Sequence, residues 1–278
     1  MSRRESITET TIQPPSGWAP LRLRELWDYR ELLFFLTWRN VLVRYKQAVL
    51  GIAWAVIQPV MTMVVFTVIF GRLAGLSSDG APYPLFSLAA LLPWLLFAGS
   101  VQSGGSSLVG NANLLTKVYF PRLIMPIAAI GAALVDFGIS LIVLAGVLLY
   151  YGFVPGWTAL WIVPLTLLAA LTALSVTLWL SALNVLYRDV QQLIPFLLQL
   201  WMYISPVAYS VNLIPKGPWQ LVYGLNPMTG VIQAFRWALL GGTPPDAYLV
   251  TSTLMTALLL VGGLFYFKHM ERTFADVV

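Results

Sequence analysis

The sequence predicts an all-α integral membrane protein: six transmembrane helices, an N-terminal amphipathic interface helix, and a re-entrant helical hairpin between spans five and six. Three observations lead there. Of the 278 residues 59% are hydrophobic and only 10% charged, with mean hydropathy +0.79, whereas a soluble domain carries about a quarter charged residues. The uncharged runs are each long enough to supply the roughly 20 residues with which a helix crosses about 30 Å of hydrocarbon. The cations gather at the ends of those runs instead of forming a basic face with interleaved aromatics, so the net charge of +5 marks orientation and not a nucleic-acid partner. Cysteine is absent, which excludes a disulfide framework, a zinc-thiolate site and a thiol nucleophile.

Taken in order, residues 1–20 have no apolar core of the secretory-signal kind and are expected to form a mobile cytoplasmic tail. Over 21–40, "LRLRELWDYRELLFFLTWRN" sets Leu23, Leu26, Trp27, Leu33 and Phe34 on one helical side and Arg24, Asp28, Arg30 and Glu31 largely on another. That pattern suits a helix lying among lipid headgroups; a helix packed on a partner protein has the same pattern. The first span, about 48–70, lies in the uncharged stretch between Lys46 and Arg72. The second, 84–108, ends in "GSVQSGGSSLVG", small residues that let helices approach closely in a bilayer. Spans three and four, 123–149 and 160–185, form a hairpin interrupted by "YYGFVPGW" at 150–157. The fifth covers 190–209 and the sixth 247–267.

Between those last two, "PWQLVYGLNPMTGVIQAFRWALLGG" (218–242) is apolar, but Pro227 disfavours helix at Asn226. Two short helices with a break are expected, a re-entrant hairpin tolerated at membrane depth only where protein or water surrounds the backbone. With six spans, Arg22, Arg24, Arg30, Arg39, Arg44, Lys46, Lys117, Arg122, Arg188, Lys268 and Arg272 all fall on one side, leaving Arg72, Lys216 and Arg236 on the other. Cationic loops resist translocation, so both termini are expected in the cytoplasm.

Four segments carry a family likeness: "RNVLVRYKQAVLGIAWAVIQPV" (39–60), "NANLLTKVYFPRLIMP" (111–126), "LNVLYRDVQQLIPFLLQLWMYISPVAYS" (183–210) and "LNPMTGVIQAFRWALLGG" (225–242). In this order they resemble the membrane subunit of ABC-2-type exporters, and more narrowly its O-antigen polysaccharide permease (Wzm-like) branch. The resemblance implies an ABC-2-type transmembrane domain over 21–278 that forms a homodimer with two copies of a cytoplasmic ABC ATPase. Its implied substrate is a polyprenyl-diphosphate-linked polysaccharide crossing the bacterial inner membrane. The chain has no G-x-x-x-x-G-K-[ST] phosphate loop, so ATP and magnesium are expected on the partner ATPase and no cofactor or metal on this chain.

The likeness also suggests site residues. Asn111, Lys117, Tyr119 and Arg122 in one cytoplasmic loop, with Arg188 and Asp189 in the next, are candidates for ATPase coupling; topology signalling explains the cations equally well. Arg39, Arg44 and Lys46 stand where a diphosphate headgroup would meet the first span, and arginine's forked donors match phosphate oxygens. General attraction to anionic lipid is the simpler reading. Phe196, Trp201 and Tyr203, near the middle of the fifth span, are the candidate conduit walls, since an aromatic face lets a sugar ring slide. Tyr223, Asn226 and Arg236 are candidates for an outer exit.

Asp136, the one acid deep in a span, reads as a hydrogen-bonded or protonated residue at a helix contact, because further intramembrane acids that would make a proton relay are missing. His269 reads as an interface residue. An ion-coupled transporter using Asp136 and a membrane glycosyltransferase are the rival classes; the latter would need clustered carboxylates or a metal site. Within the family, teichoic acid, capsule, lipid and drug are alternative cargoes. Six spans require that a fluorescent reporter fused after His269 glow in the cytoplasm while an alkaline phosphatase fused there stay inactive. A seventh crossing would reverse both readings.

Overall fold

The computed structural model describes residues 23–46, 51–214, 217–244, 247–271 and 274. Among them every regular element is helical: α1 (Leu23–Asp28), α2 (Arg30–Lys46), α3 (Gly51–Phe66), α4 (Tyr83–Gly105), α5 (Ala112–Lys117), α6 (Ile124–Tyr150), α7 (Ile162–Leu186), α8 (Val190–Ile204), α9 (Pro218–Gly224), α10 (Pro227–Leu240) and α11 (Ala247–Met270). The expected tail 1–20 lies outside the described residues. α3 runs on as a π-helical segment, Thr67–Leu73, so that Ala53–Leu73 is one apolar stretch long enough to cross a bilayer.

Among the described residues five stretches reach that length: Ala53–Leu73, Tyr83–Gly105, Ile124–Tyr150, Trp157–Leu186 and Ala247–Met270. The helix at the expected fifth span, α8, has 15 residues, about 22 Å at 1.5 Å per residue, which falls short of the hydrocarbon thickness. The chain expected to stay helical to 209 stops at Ile204 because Pro206 drives Ser205 to φ −85°, ψ 147°. At the N-terminal end the helix expected over 21–40 breaks at Tyr29 and then continues to Lys46. Nothing between Asn40 and Lys46 breaks a helix, and Arg44 and Lys46 in the last turn favour its negative dipole end.

α4 is the axis. In its membrane-crossing window 78% of residues are buried, against 11% in the α3 stretch, so α4 is surrounded by protein while α3 lies at the rim. α6, α7 and α10 pack directly on it. α10 is almost as enclosed: Met228, Val231, Ile232, Ala234, Phe235 and Ala238 have no exposed surface. The core divides into two clusters, one running through α4, α10 and the α6 segment from Ala133 to Leu148. The other gathers Leu36, Leu108, Leu115, Phe120, Leu123 to Met125, Phe267 and Phe274 at the opposite end.

Close contacts explain why the second span ends in glycines. A Cβ on Gly104 would stand 2.4 Å from Thr177 Cγ2 and one on Gly105 2.6 Å from Ile194 Cδ1, so α7 and α8 press against bare backbone. Asn184 Nδ2 donates to the Gly105 carbonyl at 3.0 Å and closes that joint. α7 and α11 are joined by Thr172 and Thr256, whose hydroxyls are 2.9 Å apart, and by Trp179, which stacks on Tyr266 at 4.9 Å and 13°.

The tightest crossing lies between α10 and α11, where a Cβ on Gly230 would meet the Tyr248 carbonyl oxygen at 2.3 Å. Gly230→Ala is therefore expected to lower stability by about 1–3 kcal/mol through overpacking. Gly138→Ala, which meets nothing within 4 Å, should leave stability unchanged or raise it by up to about 1 kcal/mol through helix propensity. Melting temperatures of the two purified variants in one detergent check the pair.

Candidate functional site

α8 carries the candidate conduit wall, and its sequence sorts into two faces. Ile194 and Leu198 are buried and Trp201 is half-buried beneath them, at helical spacing. The opposite stripe, Gln192, Phe196, Gln199 and Tyr203, is exposed; Phe196 and Tyr203 stand 56% and 54% open. Positions i, i+4, i+7 and i+11 lie on one line of a helix, so polar amides and aromatic rings alternate along a single track. Phe196 and Tyr203 thus belong together, whereas Trp201, expected beside them, points inward. Sequence reasoning passed over Gln192 and Gln199, although their spacing from the two aromatics was there to be counted.

Trp201 instead meets the hairpin. Its indole Nε1 donates to Asn226 Oδ1 at 3.0 Å, and its ring sits edge-on to Phe97 at 5.1 Å. Asn226 Oδ1 also accepts from the Met228 amide at 3.0 Å, which caps α10. Its Nδ2 donates to Ser205 Oγ at 2.9 Å, and Ser252 Oγ takes the Gly230 amide at 2.9 Å while donating to the Asn226 carbonyl at 3.3 Å. The break expected before Pro227 is present, and its loosened polar groups are tied to α8 and α11. Between α4, α7 and α8 lies an apolar cavity of about 410 Å³, bounded by residues including Val101, Val176, Leu180, Ile194 and Leu198, with Asn226 at its edge.

Arg236, expected at an exit, is 9% exposed. Its Nε donates to the Phe86 carbonyl at 3.2 Å, Nη1 to that of Tyr209 at 3.1 Å and Nη2 to that of Val207 at 2.7 Å, with the guanidinium 3.6 Å from the Phe86 ring centroid. It staples α10 to the start of α4 and to the turn after α8. Tyr223 reaches the Tyr209 hydroxyl, which also donates to the Tyr203 carbonyl at 3.1 Å, so hairpin and α8 share a second joint.

At the other end, the loop after α4 holds Asn111, and α5 exposes Lys117 followed by Tyr119, 74% open. Arg188 and Asp189, in the turn between α7 and α8, are also exposed beside Tyr187. Arg122 is engaged within the chain: its guanidinium reaches the Glu271 carbonyl and lies 5.8 Å from the Phe274 ring centroid. Lys268 pairs with Glu271 at 2.6 Å. The tail of α11 is thereby clasped to the loop that precedes α6.

The three cations proposed for phosphate do not form one open cradle. Arg39 Nη2 donates to Asn111 Oδ1 at 2.6 Å, Arg44 is ion-paired with Asp136, and Lys46 is exposed. Asp136 is hydrogen-bonded at a helix contact, receiving the Tyr45 hydroxyl as well. Among the described residues no three His, Cys, Asp or Glu side chains gather as a metal site.

Residues 31–240 match the ABC-2 type transporter family. The chain belongs to that family. This ABC-2 permease is 31% identical over 259 residues to the O-antigen export system permease protein RfbA of Myxococcus xanthus, covering 92% of this chain and 98% of that one. It is 27% identical to the RfbA of Klebsiella pneumoniae, over 89% of this chain and 95% of the relative. With the polysialic acid transport protein KpsM of Escherichia coli it shares 24% identity, over 84% and 91%.

The staple at Arg236 predicts a stability effect specific to the permease. Arg236→Met strips three carbonyls, two of them buried, of their donor and should cost at least about 2 kcal/mol. Arg236→Lys should recover only part of that, since one ammonium cannot span the fork. Membrane level and detergent melting temperature of both variants measure the difference.

Proposed function

We propose that this ABC-2 permease is the transmembrane subunit of an ATP-driven exporter that moves a lipid-linked polysaccharide of O-antigen type across the bacterial inner membrane. The observation that carries this reading is the near end-to-end likeness to two O-antigen export permeases, and the exposed Gln–Phe–Gln–Tyr stripe of α8 supplies a surface suited to the cargo. Aromatic faces meet the C–H faces of sugar rings and amides meet their hydroxyls, so a polymer slides without a single deep well. Likeness to a polysialic acid transport protein supports the polymeric cargo at a greater distance.

In this reading α8 crosses as a sixth, short span, with the turn 205–210 extending its reach, and α2 stands against the first half of α6 with its open face turned to the headgroup region. Phe34, Phe35, Trp38 and Val43 on the open face of α2, each more than half exposed, meet lipid there. α9 and α10 form the re-entrant hairpin, supported by the enclosure of α10 and the satisfied polar groups at Asn226, the conditions a broken helix needs in hydrocarbon. Both termini then face the cytoplasm. Two copies assemble so that their α8 stripes face each other across the conduit, with the sparsely buried α3 beside them.

Lys117, Tyr119, Arg188 and Asp189 present the cytoplasmic face to a separate ATPase, which holds ATP and magnesium. Arg122 and Asn111 support that face from within. Lys46 and the free donors of Arg44 receive the diphosphate of the polyprenyl carrier, since a guanidinium has five donors and the pairing with Asp136 leaves some unused. Arg39 orients the adjoining loop.

Deleting the gene is expected to trap lipid-linked polymer inside the cell, and restoring this chain should release it to the surface. Accumulation of no polymer would overturn the reading, and the identity of the trapped polymer names the cargo. Phe196→Ala combined with Tyr203→Ala should reduce surface polymer at least about tenfold at equal membrane level, measured by immunoblot of intact cells.

A further inference from the structure

Asp136 has no part in the conduit or in phosphate capture, yet it sits twelve residues in from Ile124, about 18 Å along α6. A carboxylate at such a depth persists when it is paired. Both of its oxygens are engaged, one by Arg44 and the other by Tyr45, and these are consecutive residues in the last turn of α2. Two neighbouring donors on one carboxylate fix the depth and rotation of that helix end together.

Lower on the same helix, Thr37 fits into α6 where a glycine makes room: a Cβ on Gly131 would lie 2.8 Å from Thr37 Cγ2. The contacts follow the same order on both helices, Thr37 to Gly131 and then Arg44 to Asp136, so α2 and α6 run side by side in one direction. Between them on α2, Arg39 donates to Asn111 Oδ1, and the Asn111 amide in turn donates to the Ser107 carbonyl at 2.7 Å. The loop leading to Lys117 and Tyr119 is thereby held to α2. Directly after Asp136, Phe137 packs edge-on against Phe235 of α10, centroids 6.1 Å apart, next to the Arg236 staple.

We propose that Arg44, Tyr45 and Asp136 lock α2 to the middle of α6, and that α2, so pinned, is the rod that carries displacement of the 107–117 loop to α6 and the outer hairpin. Asp136 and Tyr45 are the positioning residues in this scheme. The inference rests on the exporter reading above, because it assigns the route by which work done at the cytoplasmic face reaches the conduit.

The test uses the full complex of permease and ATPase in inverted membrane vesicles. Asp136→Asn is expected to leave ATP hydrolysis within twofold of wild type while polymer transport falls at least tenfold, and Asp136→Glu, which keeps a carboxylate for both donors, should regain part of it. Transport by Asp136→Asn at the wild-type rate, or Asp136→Glu no better than Asp136→Asn, overturns the lock. A second arm exploits the cysteine-free chain. Arg39→Cys with Asn111→Cys should transport poorly and recover when a short bifunctional thiol reagent spans the gap that the arginine filled, a direct disulfide reaching only about 4–7 Å between Cα atoms; loss of transport on cross-linking overturns the rod. Should wild-type vesicles move no polymer at all, the exporter reading falls instead.

Discussion

Hydrocarbon offers a broken helix nothing to bond with, so an interruption at membrane depth survives only where the protein itself takes up the freed groups. In this permease the groups freed by the break before Pro227 are taken up around Asn226. Its side chain caps α10, receives the indole of Trp201 and donates to Ser205, while Ser252 serves the neighbouring backbone. Because the break is satisfied, α10 can be buried as a wall shared by α4, α7 and α11, and the close approach at Gly230 becomes possible. The same residue also attaches α8, which makes few other contacts with the body, to the hairpin.

Elsewhere the polar groups follow the same logic. Arg236 donates its fork to three carbonyls of α4 and the turn after α8, Arg44 and Tyr45 converge on Asp136 along α6, and Arg122 holds the end of α11. Each group sits at a joint between elements distant in the chain, where a wrong arrangement would strand a charge or a donor in an apolar medium. Such groups specify the packing more sharply than the aliphatic surfaces beside them, which tolerate sliding. The outward stripe of α8 and the turns bearing Tyr119 and Tyr187 stay exposed.

Aromatic residues illustrate how far sequence alone carries a site. Phe196, Trp201 and Tyr203 look alike as apolar, membrane-depth rings, yet Trp201 lies half a turn away from the line through Phe196 and Tyr203 and faces the core. Helical period suffices to separate them once the buried side, Ile194 and Leu198, is known. Arg236 could not be separated in the same way, because a lone cation near a span end reads as an interface anchor until its three carbonyl partners, 27 to 150 residues away, are in view.

From the residues themselves came the membrane class, the positions of five long helices and the break before Pro227, since each depends on local matters: the length of an uncharged run and the steric effect of proline on its neighbour. The stop of α8 at Ile204 was legible by that same proline rule at Pro206, hidden in an apolar run that invited a longer helix. The partners of Arg39, Arg44 and Arg122 were decided by the tertiary structure alone. They join residues brought together only by packing, and no periodicity or composition along the chain encodes which carboxylate, amide or carbonyl a long cationic side chain will reach once the helices stand side by side.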